Sequence, residues 1–127
     1  MSEQVLIVDD DADIRTIARL ALEAVGQMHV RTAASADDAL SILQEWCPDL
    51  VLLDVMMPGT DGTSLFEIVR GIPRLSRLPI VFMTARTQGR EVDEYLSMGA
   101  AGFIGKPFDP MTLPERLRSI LVRVTDA

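Results

Sequence analysis

Five short apolar runs alternate along the chain with longer stretches in which apolar residues recur at helical spacing. Runs of this kind are typical of strands that are buried on both faces of a parallel sheet. Right-handed crossovers between such strands predict an α/β fold, a doubly wound five-stranded parallel sheet with helices on both faces, for which 2-1-3-4-5 is a common strand order. The runs are Val5 to Val8, Met28 to Thr32, Leu50 to Leu53, Ile80 to Met83 and Gly102 to Ile104.

The spacing of apolar residues also predicts the buried face of each helix. We expect the first helix to end at Gly26 in the left-handed conformation, the second to begin at Ser35, and the third to follow Asp61. The predicted buried faces are Ile14, Ile17, Ala18, Ala21 and Val25 in the first helix, Ala39, Leu40 and Leu43 in the second, and Leu65, Ile68 and Val69 in the third.

The last two helices are bounded by Gly99 and by a capping sequence. The fourth helix ends at Gly99 and buries Val92, Tyr95 and Leu96. With Thr112 as its cap, the fifth helix is predicted to start near Leu113 and to run to about Arg123. Its sheet-facing residues are predicted to be Leu117, Ile120, Leu121 and Val124.

Composition narrows the class of protein. A chain of 127 residues, 48% of them apolar, is expected to form one domain over residues 1–127. Its net charge of −7 argues against nucleic acid or an anionic membrane as the main partner. The acidic amino terminus and the lack of an apolar stretch near ~20 residues indicate a soluble, cytoplasmic protein. A single cysteine excludes an internal disulfide.

Acidic residues follow two of the predicted strands directly. Asp9, Asp10 and Asp11 follow the first strand, and Asp54 follows the third. In the predicted order these two strands are neighbours, so their carboxylates meet at one edge of the sheet, where the strand order reverses and a ligand is expected to bind. Two like charges about 4 Å apart repel by on the order of 4 kcal/mol at an effective dielectric near 20. The arrangement therefore predicts a divalent cation, most simply Mg²⁺, which prefers oxygen ligands.

A single lysine, among eleven arginines, follows the fifth apolar run. Lys106 can supply a second positive centre at the same edge, and the hydroxyl of Thr84 ends the fourth run. With a metal and an ammonium to neutralise the equatorial oxygens, a carboxylate such as Asp54 can attack a phosphoryl group in line. The candidate catalytic residues are therefore Asp54, Thr84 and Lys106.

Four motifs follow one another along the chain, each at the end of a predicted strand. They are Leu6 to Asp11, Pro48 to Gly62, Met83-Thr84-Ala85 and Lys106-Pro107-Phe108. In this order they resemble the motifs of a response-regulator receiver domain, of the chemotaxis-type single-domain kind, from two-component signal transduction. The resemblance covers essentially the whole chain and implies the flavodoxin-like (βα)₅ version of the predicted fold.

The resemblance assigns roles around a phosphorylated aspartate. It implies that Asp54 accepts the phosphoryl group and also binds Mg²⁺. Asp10 is then a direct metal ligand, Asp9 acts through water, and Met56 contributes its main-chain carbonyl.

The same resemblance implies a switch. Thr84 and Lys106 would bind the phosphoryl oxygens, and the Lys106–Pro107 peptide would be cis. Thr84 would move towards the phosphoryl group while Phe103 turns inward, which changes the affinity of the face formed by the fourth helix, the last strand and the last helix for a partner. Because Phe103 has no hydroxyl, we expect its inward state to be favoured.

By the resemblance, the partners are a histidine kinase or a histidine phosphotransfer protein as donor, and an output protein that the sequence does not name. The domain would catalyse its own phosphorylation and dephosphorylation without a separate substrate. Ala100, Ala101 and Gly102 stand where many transcription-factor receivers carry acidic residues that pair across a dimer. We therefore expect a monomer or a weak dimer.

Several alternatives stay open from the residues alone. Aspartates after strands are often helix caps, and Asp11 or Asp13 is expected to cap the first helix. An aspartate-nucleophile phosphatase would also begin with acids after its first strand, but it needs further acidic loops. A flavin or nucleotide binder would need a glycine-rich loop after the first strand, where none occurs. The chain is also compatible with the receiver part of a longer response regulator or hybrid histidine kinase, although its last six residues look like a helix fraying into a terminus.

Overall fold

The computed structural model describes residues 3–57, 62–85 and 90–125 of the chain. Asp61, predicted to precede the third helix, and the motif residues 58–60 lie outside these ranges, as do residues 126 and 127. The strands are β1 Gln4–Val8, β2 His29–Ala33, β3 Leu50–Asp54, β4 Ile80–Thr84 and β5 Gly102–Gly105. The helices are α1 Ala12–Leu20, α2 Ala36–Glu45, α3 Gly62–Arg70, α4 Arg90–Ser97 and α5 Leu113–Thr125, with a π-helical turn at Ala21–Val25 and a 3₁₀ turn at Pro73–Leu75.

The five strands form one parallel sheet in the order β2-β1-β3-β4-β5, which confirms the predicted fold and order. Val8 lies opposite Leu53, so β1 and β3 end side by side. Each face of the sheet packs against its own layer of buried apolar residues. Leu6 and Val8 belong to one layer and Val5 and Ile7 to the other, because successive side chains of a strand point to opposite faces.

The first helix departs from the predicted periodicity. The main-chain N–H of Gly26 donates to the carbonyl of Ala21, a bond that spans five residues and widens the last turn. The wider turn changes the buried face from Ala21 onward, so Leu22 is fully buried and Val25 is exposed. Ile17, which lies before this turn, is also exposed, contrary to the prediction.

The predicted left-handed stop is also displaced by one residue. Gly26 is right-handed, with φ −87°, and the positive φ of 56° belongs to Gln27. Gly26 is required for a different reason, since a Cβ there would lie 2.7 Å from the Cβ of Pro114 in α5.

The other helices match their predicted boundaries closely. The Ser35 hydroxyl accepts the N–H of Asp38 at 3.1 Å and caps α2. Gly99 follows α4 with a positive φ of 106°. Ile68 and Leu96 are exposed rather than buried, and Phe66 fills the core beside Leu65 and Val69 instead. The start of α5 at Leu113 is as predicted, but the Thr112 hydroxyl donates to the carbonyl of Asp109.

None of the helices that the structure describes has the length and apolar character required to cross a bilayer.

Candidate functional site

The carboxyl ends of β1, β3, β4 and β5 bring four predicted site residues to one edge of the sheet. Asp9 directly follows β1, Asp54 ends β3 and Thr84 ends β4. Lys106 directly follows β5, and its main-chain N–H donates to the carbonyl of Thr84 at 2.8 Å. The parallel pairing therefore places side chains from distant parts of the sequence beside one another.

Lys106 joins the two buried aspartates. Its Nζ lies 2.8 Å from Oδ2 of Asp9 and 3.3 Å from Oδ1 of Asp54. Asp9 is 0% exposed and Asp54 is 3% exposed, whereas the Lys106 side chain is 21% exposed. One ammonium thus contacts two carboxylates, and the three charges do not balance.

Main-chain donors hold these carboxylates in place. Oδ1 of Asp9 accepts the N–H of Asp11 at 2.9 Å, and Oδ1 of Asp54 accepts the N–H of Met56 at 3.0 Å. Oδ1 of Asp11 accepts the N–H groups of Asp13 and Ile14, which identifies Asp11 as the cap of α1. Of the three aspartates after β1, Asp11 therefore caps α1, and Asp9 and Asp10 remain as candidate metal ligands.

Three carboxylates form a group with the geometry of a metal site. Asp9, Asp10 and Asp54 each offer one oxygen, and these oxygens all lie within 4.8 Å of one another. Asp10 is exposed, so an ion can reach the site from solvent. Hard oxygen donors and an excess of negative charge over Lys106 fit a Mg²⁺ ion that retains several waters.

Burial and repulsion act on the ionisation of Asp54. Burial raises the pKa of its carboxyl, the Met56 N–H bond opposes the rise, and the nearby charge of Asp9 adds to it, with Lys106 opposing. Burial alone would lower the pKa of Lys106, but the bonds and charges of Asp9 and Asp54 outweigh it and raise that pKa. Without a metal, the charged form of the Asp54 carboxyl is therefore less favoured than it would be in water.

The remaining predicted residues surround this centre. Thr84 is buried, and the Lys106–Pro107 peptide is cis, as the resemblance implies. Phe103 is half-buried in β5, where it lies opposite Phe82 and two residues before the end of the strand. Met56 is 74% exposed, and its main-chain N–H is the group that bonds to Asp54.

Two residues of the site were not predicted from the sequence. Nη1 of Arg15 donates to the main-chain carbonyl of Asp9 at 2.8 Å. Gly62 lies so close to β3 that a Cβ there would be 2.4 Å from the carbonyl oxygen of Asp54. A glycine at the start of a helical stretch was the available signal for Gly62, whereas Arg15 at one turn into a helix gave none.

The sequence is similar to those of known proteins. A sequence model of the family described as "Response regulator receiver domain" matches residues 5–118. The transcriptional regulatory protein AfsQ1 of Streptomyces coelicolor is 43% identical over 118 residues, which cover 93% of this chain and 51% of that protein. The chain spans about half the length of the curated relatives it matches.

Two solved structures are similar to this chain over almost their whole length. The chemotaxis response regulator CheY4 of Vibrio cholerae superimposes with a TM-score of 0.87 at 32% identity, covering 94% of this chain and 99% of that one. A putative response regulator from Chloroflexus aurantiacus gives a TM-score of 0.87 at 36% identity, covering 97% and 100%.

Proposed function

The chain belongs to the response regulator receiver domain family, a family of signalling domains, and from this premise we propose that residues 1–127 act as a single phosphorelay receiver domain whose Asp54 accepts a phosphoryl group. The donor is a phosphohistidine of a histidine kinase or a histidine phosphotransfer protein. The domain has no separate substrate, because its reaction is its own phosphorylation and dephosphorylation. We place it in the cytoplasm.

The observation that carries this proposal is the contact of one ammonium with two buried carboxylates, 2.8 Å from Asp9 and 3.3 Å from Asp54. A phosphoryl group on Asp54 would extend the negative charge towards Lys106. The ammonium already contacts Oδ1 of Asp54, so it is within reach of the oxygens of a phosphoryl group attached to that carboxylate. It would then pair with one of those phosphoryl oxygens.

Asp9, Asp10, Asp54 and the main-chain carbonyl of Met56 would hold Mg²⁺, with Asp10 as a direct ligand and Asp9 acting through water. When bound, the ion neutralises the charge that develops on the phosphoryl oxygens. The fit rests on the oxygen donors within 4.8 Å of one another and on their uncompensated charge.

The protein's own residues supply the other elements of the reaction. Asp54 attacks phosphorus with a carboxylate oxygen in line with the leaving imidazole nitrogen, so one P–O bond forms as one P–N bond breaks. The Met56 N–H, 3.0 Å from Oδ1, orients the carboxylate. Thr84 and Lys106 bind the phosphoryl oxygens.

The output is a change on one face of the domain. Thr84 moves towards the phosphoryl group and Phe103 turns inward, which alters the surface of α4, β5 and α5. The half-buried position of Phe103 supports this, because its ring is neither fully buried nor fully exposed and its exposure can change in either direction. An output protein reads this face, and the domain acts as a monomer or weak dimer.

Labelling with acetyl phosphate and Mg²⁺ tests the proposal. The wild-type protein should gain one hydroxylamine-labile phosphoryl group per chain, and Asp54→Asn should gain none. Asp49→Asn serves as a matched control, because Asp49 precedes the opposite end of β3. A hydroxylamine-labile group that persists in Asp54→Asn would assign the acceptor elsewhere, and many turnovers on small phosphate esters would favour a phosphatase.

A further inference from the structure

A cleft at the amino ends of the strands contains three arginines that the proposed phosphorylation does not use. Its volume is about 630 Å³, which lies within the usual range for small-molecule sites. Arg70 ends α3, Arg74 lies in the 3₁₀ turn and Arg77 precedes β4. We call this the arginine cleft.

Two of the three arginines are held by main-chain carbonyls. Nη1 of Arg70 donates to the carbonyl of Leu78 at 2.7 Å, and Nη2 of Arg74 donates to the carbonyl of Leu43. Over residues 3–57, 62–85 and 90–125, none of Arg70, Arg74 and Arg77 forms an ion pair. Because a carbonyl has no net charge, these bonds do not neutralise the guanidinium groups.

One acidic residue lines the same cleft, but it already has a partner. Oδ2 of Asp49 accepts the main-chain N–H of Gln4 at 2.7 Å. Three arginines and one aspartate give the cleft a formal charge of +2 in a chain whose net charge is −7. Burial lowers the pKa of Arg70, so an anion beside it would relieve an existing cost.

The rest of the cleft is largely apolar. Leu78 and Pro79 form part of its wall, and Leu121 and Val124 of α5 form another part. A ligand that matches both features has an apolar ring system and at least two negative charges. Each guanidinium group can pair with a phosphate through two parallel hydrogen bonds. A single carboxylate has too few oxygens to pair in this way with three arginines.

We propose that the arginine cleft binds a small organic polyphosphate of the nucleoside diphosphate type. The phosphates lie against Arg70, Arg74 and Arg77, and the ring lies against the apolar wall. The cleft is separate from the phosphorylation site, since the five residues of β3 place the two ends of that strand about 13 Å apart.

Isothermal titration calorimetry with ADP tests this in the presence of EDTA, which removes metal from the acidic edge. Arg77 is exposed, and its side chain forms no hydrogen bond or ion pair among the described residues, so Arg77→Gln should leave the fold intact. It should weaken ADP binding about tenfold, as expected for the loss of a charge-assisted bond. The exposed Arg19 of α1 provides the matched control, because Arg19→Gln makes the same change in net charge and should alter the affinity less than twofold.

Four results would overturn the proposal. The first is the absence of saturable binding up to roughly 1 mM ADP. The second is equal weakening by Arg77→Gln and Arg19→Gln, which would mean that only net charge matters. The third is pyrophosphate binding as tightly as ADP, which would remove the apolar wall from the site. The fourth is loss of ADP binding in Asp54→Asn, which would place the nucleotide at the acidic edge; retained binding there supports the cleft independently of phosphorylation.

Discussion

Charged side chains at the two ends of the strands have different partners: an ammonium lies between buried carboxylates at the carboxyl ends, and guanidinium groups donate to main-chain carbonyls at the amino ends. Asp9 and Asp54 compete for Lys106 at the first edge. Arg70 and Arg74 donate to main-chain oxygens at the second. The same sheet thus has an excess of negative charge at one end and of positive charge at the other.

The two edges of the sheet differ in the kind of ligand that would stabilise them. A cation reduces the repulsion between Asp9 and Asp54, so the carboxyl edge should gain stability from Mg²⁺. The amino edge has no such group of acids among the residues that the structure describes, and its stability should not respond to the metal.

Replacing the cation at each edge gives the largest expected contrast. In EDTA, Lys106→Met should lower the free energy of unfolding by about 3 kcal/mol, because it leaves two buried carboxylates without a partner. Excess Mg²⁺ should restore part of that loss. Arg70→Met should also destabilise, but Mg²⁺ should restore none of its loss. Urea unfolding with and without Mg²⁺ measures both, and an equal response of the two variants to Mg²⁺ would remove the contrast.

The glycines at the two ends of α3 differ in how much space surrounds a Cβ added at each position. Gly62→Ala places a Cβ 2.4 Å from the carbonyl oxygen of Asp54, and should cost about 2 kcal/mol through forced backbone shifts. At Gly71 the nearest atom would be 3.4 Å away, so Gly71→Ala should change stability by less than about 0.5 kcal/mol. Thermal unfolding of both variants checks this, and a similar cost at the two positions would contradict close packing at the site.

Asp54→Asn should stabilise the metal-free protein at neutral pH, because the amide carries no charge for burial and Asp9 to disfavour. The pKa of Asp54 is raised in the folded state, so folding disfavours its charge and stability falls as pH rises from about 4 through the folded pKa. The asparagine variant avoids this fall, and its advantage should disappear at low pH. Urea unfolding in EDTA across this pH range tests the sign, and a variant less stable than wild type at pH 7 would contradict it.

Glu3→Gln should show the opposite pH dependence with the smallest effect. The bond from Arg118, at 2.6 Å, lowers the pKa of Glu3, so the pair stabilises the fold above the unfolded pKa and is lost as pH falls through the folded one. Because Arg118 is substantially exposed, the loss at pH 7 should be about 0.5 kcal/mol. A loss of the same size at pH 3 would show that the ion pair is not its cause.

Much of the fold was predictable because the sheet is simple. Continuous apolar runs mark strands buried on both faces, and parallel pairing then places Asp9 and Asp54 together once the order of strands is known. Lys106 was predictable as a partner because it is the only lysine in the chain and follows the last strand.

The remaining features depend on contacts that periodicity does not encode. The π-helical turn at Ala21–Val25 changes the number of residues per turn, so the predicted face of the first helix included Val25, which is exposed. Gly62 matters through its distance to Asp54, and the arginine cleft assembles segments separated widely in sequence. The sequence signals Gly62 only as a glycine at the start of a helical stretch, and no local pattern identifies the cleft.

Mapping the acyl phosphate by borohydride reduction tests the central claim most directly, since reduction converts a phosphorylated aspartate into homoserine at its own position. After incubation with acetyl phosphate and Mg²⁺, we expect homoserine at position 54 alone, and none when EDTA replaces Mg²⁺. Homoserine at Asp9 or Asp10, or the same yield at position 54 without a divalent ion, would contradict the account.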